Sequence, residues 1–87
     1  MKPFKLLIDF SVLEYVLSLK RREQLAIRHR ILLIRDYPAN LADFEEIDDE
    51  GRTLHVHVFG NRAIRYRVDD ADRHVKILEI LPSDGED

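Results

Sequence analysis

The chain begins with a compact apolar stretch that leads into a helix-start signal. Phe4–Phe10 is apolar with a period of two at its end, which predicts a first strand. Ser11 is followed three residues later by Glu14, the spacing of a capping box, in which each side chain satisfies a free backbone amide of a new helix. A first helix is therefore predicted from Val12.

A second helix is predicted after the charged cluster at residues 20–23, and it ends near Asp36 because the residue before Pro38 is pushed out of the helical region. At about 100° per residue, this helix has two apolar stripes with a ridge of arginines between them. One stripe suffices for a core. The second stripe is therefore either also buried in the domain, covered by the aliphatic parts of the arginine side chains, or is a docking surface for a partner. The first stripe is Ile27, Ile31 and Ile34, the second is Leu25 and Leu32, and the ridge is Arg21, Arg28 and Arg35.

Residues 39–52 are polar and acidic, and we interpret them as a solvated connector with Leu41, Phe44 and Ile47 as contacts to the core. Their carboxylates lack the glycine-spaced alternation of a calcium loop. Three strand-like segments separated by turn signals follow, and the last is apolar on both faces, which favours a central position. These segments are Thr53–Phe59, Ala63–Asp69 and Val75–Leu81.

The order of these elements predicts an α+β domain, β-α-α-β-β-β, with a mostly antiparallel sheet and two helices packed on one face. A chain of this length has one core, so a single domain is expected over residues 1–82. The acidic residues 83–87 are expected to form a disordered tail.

The loop between the first two of these three strands decides which side chains share a face, since a one-residue slip reverses every side chain. A two-residue turn at Gly60 and Asn61 would mix apolar and charged residues on both faces. A three-residue loop that includes Arg62 gives one continuous apolar face, so we predict that loop. The opposite face then carries His57 beside Arg65 and His55 beside Arg67.

Such a face has the residue types that metal-independent RNA cleavage requires. Arginines hold phosphate, and histidines with a pKa near neutral exchange a proton with a ribose 2′-hydroxyl or a leaving oxygen. The alternative is that these are ordinary exposed residues of an antiparallel sheet. No carboxylate or third histidine stands at a diagnostic spacing from His55 and His57, so no metal site is expected.

Composition narrows the functional class. The 87 residues include 14 basic and 17 acidic side chains, for a formal net charge of -3, and no cysteine, which excludes disulfides, thiolate zinc sites and cysteine nucleophiles. Residues 1–35 nevertheless hold eight basic and three acidic side chains, so a local basic surface is compatible with the acidic total. The longest apolar run, Ile31–Ile34, is too short to cross a membrane, and the N-terminus has no signal-peptide pattern, so a cytoplasmic protein is expected.

A strand, two helices and three antiparallel strands in one short chain resemble the RelE/ParE superfamily of toxins from toxin–antitoxin pairs. The resemblance covers nearly the whole chain. Its most specific stretch, residues 60–69, is similar to the family's G-x-Y-R-V-x-Y-x-I-D strand, and Gly60, Tyr66 and Asp69 match that motif. Without gaps, Ala63 stands where ribonuclease members of the family have an active-site arginine.

The resemblance implies the toxin of a bacterial or archaeal type II pair, which inhibits translation by ribosome-dependent mRNA cleavage without a cofactor. Its partners would be a cognate antitoxin, the ribosome and mRNA. The alternative on the same fold is a non-catalytic module, either a ParE-like poison of DNA gyrase or a degenerate toxin kept for partner binding. The expected catalytic residues are His55, His57 and Arg65, phosphate is held by Arg62, Arg65 and Arg67, and the antitoxin contacts Arg21, Leu25, Arg28, Leu32 and Arg35.

Overall fold

The computed structural model describes residues 4–82, which form five strands and three helices. The predicted tail at residues 83–87 lies outside the described residues. Between residues 4 and 82, no helix is both long and apolar enough to span a membrane. The elements are β1 (Lys5–Ile8), α1 (Phe10–Leu17), α2 (Arg21–Asp36), α3 (Pro38–Leu41), β2 (Phe44–Ile47), β3 (Thr53–Phe59), β4 (Arg62–Asp69) and β5 (His74–Pro82).

The strands of the described chain form one sheet in the order β1-β5-β4-β3-β2. Neighbouring strands are antiparallel except β1 and β5, which run parallel. β5 therefore lies inside the sheet between two partners, although β4 occupies the middle position. The predicted α+β class, with a mostly antiparallel sheet and helices on one face, is confirmed.

The first helix begins at Phe10, two residues earlier than predicted. Asp9 caps this helix, because its Oδ1 accepts hydrogen bonds from the Ser11 backbone N–H at 2.9 Å and from the Ser11 hydroxyl at 2.7 Å. The bond from the hydroxyl, followed by the bond from the backbone, lowers the pKa of Asp9. The predicted capping box of Ser11 and Glu14 is therefore wrong, and Ser11 is a partner of the cap.

Residues 39–52 contain two elements that the sequence did not predict. α3 is a single turn that begins at Pro38, and β2 is a strand at the edge of the sheet. The Oδ1 of Asp48 closes the turn into β3 by accepting from the backbone N–H groups of Glu50 at 2.9 Å and Arg52 at 2.8 Å. The bond from the Arg52 backbone is the largest cause of a lowered pKa for Asp48. The interpretation of this segment as a solvated connector is wrong.

The apolar residues of this segment have different surroundings. Leu41 packs against the core, as predicted, whereas Phe44 and Ile47 are 50% and 67% exposed on β2. Between them, Glu45 and Glu46 place two negative charges on the edge strand. Charged residues on an edge hinder pairing with another copy of the same strand, so β2 is protected against edge-to-edge association.

The core lies between the helices and one face of the sheet. From α2 it contains Ile27, Ile31 and Ile34, so the stripe predicted to face the core is confirmed. Isoleucine is β-branched and has few allowed rotamers, so these side chains pack closely over the sheet in well-defined conformations. Their buried partners are Val12 of α1, Ile64 and Tyr66 of β4, and Val75 and Ile77 of β5.

The β3–β4 hairpin closes through a two-residue turn at Gly60 and Asn61, so the predicted three-residue loop is wrong. In the observed register, His57 pairs with Ile64. Gly60 has a φ of 56°, the positive value that the first residue of a type II′ turn requires. The change of register moves every side chain of β4 to the other face relative to the predicted pairing.

The observed register separates the predicted histidines from the predicted arginines. His55 and His57 lie on the face that the helices cover, whereas Arg65 and Arg67 lie on the open face of the sheet. The predicted face that combines all four side chains does not form. The reason is that this sheet has apolar residues on both faces, and the open face carries Leu54, Val56 and Ala63, each less than 10% exposed.

Candidate functional site

His57 is held inside the protein between α2, α3 and β3. Its Nδ1 donates to the carbonyl oxygen of Leu41 at 2.8 Å and lies 3.5 Å from Asp43 Oδ2. With the proton on Nδ1, Nε2 is an acceptor that lies 3.5 Å from Nη1 of Arg30, and the ring stacks on Phe59. His57 is only 6% exposed, so neither ring nitrogen is open to a substrate. Its contacts anchor the chain that follows α2.

His55 lies closer to solvent and has fewer partners. Its ring stacks on Tyr66 with the ring centroids 5.3 Å apart. Its Nδ1 is 3.5 Å from Oε2 of Glu45, but the arrangement lacks hydrogen-bond geometry. The side chain is 18% exposed at the junction of two surface depressions. Of the two histidines predicted as catalytic, His55 is the one that a substrate can reach.

Tyr66 connects β4 to the first residue of α3, a role that the sequence did not reveal. Its side chain is fully buried, and its hydroxyl donates to the carbonyl oxygen of Pro38. Burial, with a smaller effect of the Asp43 charge, raises the pKa of Tyr66 to about 12. The signal that singled out this residue was its match to the family motif, and the motif alone does not say that the role is structural.

Arg62, predicted to bind phosphate, instead contacts the helices. Its Nε donates to the Tyr15 hydroxyl at 3.2 Å, and its Nη2 donates to Glu23 Oε2 at 3.0 Å. The bonds to Tyr15 and then Glu23 raise the pKa of Arg62, and its bond to Glu23 lowers the pKa of that carboxyl. Arg62 therefore ties the hairpin turn to α1 and α2.

The other two predicted arginines, on the open face, have different surroundings. On β4, Arg65 contacts carboxylates on both sides: its Nε donates to Oε1 of Glu46 at 3.0 Å, on β2 beyond β3, and its Nη1 contacts Glu79 on β5. Arg67 pairs across the sheet with Lys76, and within residues 4–82 it forms no ion pair. Two cations side by side repel each other, which favours an anion between them. Arg67 is thus the predicted arginine that is open to a phosphate.

An apolar groove of about 290 Å³ lies between α1, α2 and β1. Leu25 and Leu32, the second stripe of α2, line it together with Ile8 and Leu13, which were not among the predicted antitoxin contacts. Leu25 is 50% exposed and Leu13 is 43% exposed. The second stripe therefore faces an open groove instead of the closed core.

The arginine ridge of α2 is divided along the helix. Arg28 lines the apolar groove, whereas Arg21 is exposed at the start of α2. Arg35 lies at the other end of the helix, where its Nε is 2.9 Å from Asp36 Oδ1. Arg28 is therefore the arginine of this ridge that is placed to contact a segment bound in the groove.

Three solved structures with a similar arrangement of elements are a toxin and two toxin–antitoxin complexes. The E. coli toxin RelE, as an arginine-to-alanine variant in the free state, has a TM-score of 0.68 at 9% identity, and the match covers 98% of this chain and 88% of that one. A chain of the archaeal RelE-RelB complex from Pyrococcus horikoshii OT3 has a TM-score of 0.78 at 18% identity, with coverage of 98% and 100%. This chain has the RelE fold.

The same fold is found in the toxin–antitoxin complex RelBE2 from Mycobacterium tuberculosis. One of its chains has a TM-score of 0.78 at 16% identity, and the match covers 93% of this chain and 99% of that one. No protein-family model and no curated protein matches the sequence. The likeness in fold therefore extends over almost the full length of this chain.

Proposed function

We propose that this chain is the toxin component of a type II toxin–antitoxin pair, acting on translation in the cytoplasm. The observation that carries the proposal is the similarity to RelE over nearly the whole length of both molecules. Proteins that share a fold can have many different functions, so the partner and the reaction have to be argued from the residues of the site.

The proposed partner is a small antitoxin that places an amphipathic helix in the groove between α1, α2 and β1. Leu25 and Leu13 offer exposed apolar anchors to one face of such a helix. Arg28 on the groove wall would meet an acidic residue of the antitoxin. Anchors of this kind supply most of the affinity, and the arginine supplies orientation and a faster association rate.

For mRNA cleavage, the proposal narrows the predicted site to His55 and Arg67. Both line one depression at the end of β3 and β4. Arg67 would hold a phosphate, and His55 would exchange the proton of the ribose 2′-hydroxyl. The other three predicted residues are occupied by contacts within the protein. These are His57, Arg62 and Arg65.

Mapping the 5′ ends of translated mRNA after induction of this protein alone tests the proposed activity. We expect new 5′ ends within coding regions, and their loss in a His55→Ala variant that still folds. Intact mRNA after induction of the wild-type protein would contradict ribonuclease activity.

A second candidate function is non-catalytic binding on the same fold, and the surroundings of Ala63 favour it. Ala63, where the resemblance places an arginine, is 9% exposed and pairs with Val58 and Leu81. The open face therefore has a small, buried apolar side chain at this position in place of a cation. Inhibition of gyrase in a supercoiling assay, without RNA cleavage, would indicate a ParE-like poison. Inactivity in both assays would indicate a degenerate toxin retained for partner binding.

Replacing Arg67 with Ala should weaken RNA binding and lower its salt dependence, because one lost phosphate contact releases fewer counterions. The slope of log affinity against log salt should fall in magnitude by roughly 0.7 to 0.9. Arg65→Ala is the control, since the Arg65 guanidinium is held by Glu46 and Glu79. Titrations of a labelled RNA at several salt concentrations measure both slopes. An unchanged slope in the Arg67 variant would show that this side chain does not contact a phosphate of the RNA.

A further inference from the structure

The outer side of α1 carries a second apolar row besides the one in the core. Phe10, Leu13 and Leu17 are 70%, 43% and 64% exposed. Their spacing of three and four residues places them next to one another along the helix. Val12, the buried residue of α1, lies on the other side of the helix and packs in the core. α1 therefore has two apolar sides, and one of them is exposed.

This row is continuous with the apolar groove between α1, α2 and β1. Leu13 belongs to both, and Phe10 and Leu17 lie about one turn away from it in either direction. Ile8 and Leu25 on the groove walls are 41% and 50% exposed. We call these five residues the α1 patch. Five large apolar side chains, each at least 41% exposed, form a contiguous surface of the kind that a monomer rarely leaves in water.

The row and the groove are complementary to each other. A groove of this type accepts an amphipathic helix whose apolar side chains recur every three or four residues. α1 is such a helix, with eight residues of which Glu14 is the one that carries a charge. Because row and groove are adjacent on one molecule, a twofold axis near Leu13 places α1 of each copy in the groove of the other. Phe10 of one copy then meets Leu17 of its partner.

The charges beside the patch fit the same arrangement. Glu14 is exposed on α1, and Arg21 and Arg28 are exposed on α2. Within residues 4–82, none of these three side chains forms an ion pair. Across the twofold axis, Glu14 of one copy faces α2 of the other and its arginines. Opposite charges at the rim of an apolar contact favour association and fix its orientation.

We propose that a second copy of this chain occupies the groove, with the two α1 helices antiparallel about a twofold axis near Leu13. Burying the α1 patch on both copies removes about 1,000 Å² from water, the lower limit for a specific interface, so the dimer is weak and depends on concentration. The antitoxin helix proposed above uses the same groove, so the second copy and the antitoxin exclude each other. This self-association is a property of the isolated chain and goes beyond the proposed function.

Sedimentation equilibrium of the full chain, from micromolar to near-millimolar concentration, tests the dimer. We expect the average mass to rise from one copy towards two. Leu17→Ser should raise the dissociation constant of the dimer roughly 10- to 100-fold, because each dimer loses this anchor twice. Ile47→Ser is the matched control, since Ile47 is 67% exposed on β2 outside the patch, and it should dimerise like the wild type. Circular dichroism checks that both variants are folded.

An exchange of charges tests the arrangement of the two copies. Glu14→Lys and Arg28→Glu should each weaken self-association, because each places like charges across the twofold axis. An equimolar mixture of the two variants should dimerise again, since every contact in the mixed dimer then joins a cation to a carboxylate. The same sedimentation measurement reports all three samples.

A mass of one copy at every concentration of the wild type would overturn the proposal. So would a dimer that Leu17→Ser leaves unchanged, or charge variants that fail to pair when mixed. A monomer that binds an acidic amphipathic helix through Leu25 would assign the groove to another protein instead of a second copy. Growth arrest and mRNA cleavage play no part in these measurements, so failure of the dimer is distinguishable from failure of the toxin assignment.

Discussion

Replacing Tyr66 with Ala should lower the free energy of unfolding by about 3–5 kcal/mol, the cost of removing a large buried aromatic side chain. Tyr66 is fully buried against the helices, so the surrounding residues cannot fill the space without moving. Domains of this size are typically stable by about 5–15 kcal/mol, so the variant should lie near the limit of folding. Urea denaturation followed by circular dichroism measures the change.

Tyr66→Phe separates the role of the hydroxyl from that of the ring. Below pH about 10 this variant should be less stable than the wild type by about 1–3 kcal/mol, because the Pro38 carbonyl oxygen loses its donor. The folded wild type has its Tyr66 pKa raised from 10.0 to about 12. As the pH rises through this range, the unfolded chain releases a proton that the folded chain keeps, so the stability of the wild type falls.

The phenylalanine variant has no proton to lose at this position, so the difference in stability between the two proteins should narrow as the pH rises from about 9 to 12. Two pKa units correspond to roughly 3 kcal/mol, which is the upper bound of this narrowing. Comparing the two proteins removes the shared effects of lysine and arginine titration. A difference that stays constant over this range would contradict a buried, neutral Tyr66 hydroxyl.

Changing Leu25 and Leu32 together to Ser should weaken antitoxin binding by roughly 100-fold or more, the scale of losing central apolar anchors. Leu25 is half exposed in the free protein and Leu32 is partly buried at the groove wall, so the cost in stability should be small by comparison. Calorimetric titration with the proposed antitoxin, taken as the purified product of the gene adjacent to that of this chain, measures the affinity. Thermal denaturation measures the stability.

Ile47→Ser is the control for this experiment, because Ile47 is 67% exposed on the edge strand β2, outside the groove. It should bind the antitoxin as the wild type does. A large drop in melting temperature for the leucine variant, with unchanged affinity for the antitoxin, would assign Leu25 and Leu32 to the core and remove the docking site.

The elements with strong local signals were predictable from the sequence. The period of Ile27, Ile31 and Ile34 identified the buried face of α2, and the segments of β3, β4 and β5 were found within one or two residues. Hydrophobic periodicity determines these features directly. β2 was missed because it is short, acidic and at the edge, where its pairing with β3 comes from tertiary structure.

The pairing of β3 with β4 could not be predicted from alternation alone. One buried apolar face was assumed, but the open face of this sheet also buries Leu54 and Val56, while His57 is accommodated on the helix face by Leu41 and Arg30. A register shift between β4 and β5 at Arg65 further changes which residues of β5 face the helices. Gly60 followed by Asn61 was the correct local signal, and it favours a two-residue turn.

The candidate site was only partly predictable, because the partners that occupy its side chains are distant in sequence. Arg62 reaches Glu23, 39 residues earlier, and Arg65 reaches Glu46, 19 residues earlier. An arginine can be recognised from the sequence as a possible phosphate ligand. Whether its guanidinium is already paired with a carboxylate depends on the fold.

Growth of bacteria in which this chain is induced alone or together with the product of the neighbouring gene tests the toxin assignment most directly. We predict that induction alone arrests growth and that co-expression restores it. The Leu25→Ser and Leu32→Ser double variant should continue to arrest growth in the presence of the antitoxin. Normal growth during induction of the folded wild-type chain alone would contradict the assignment.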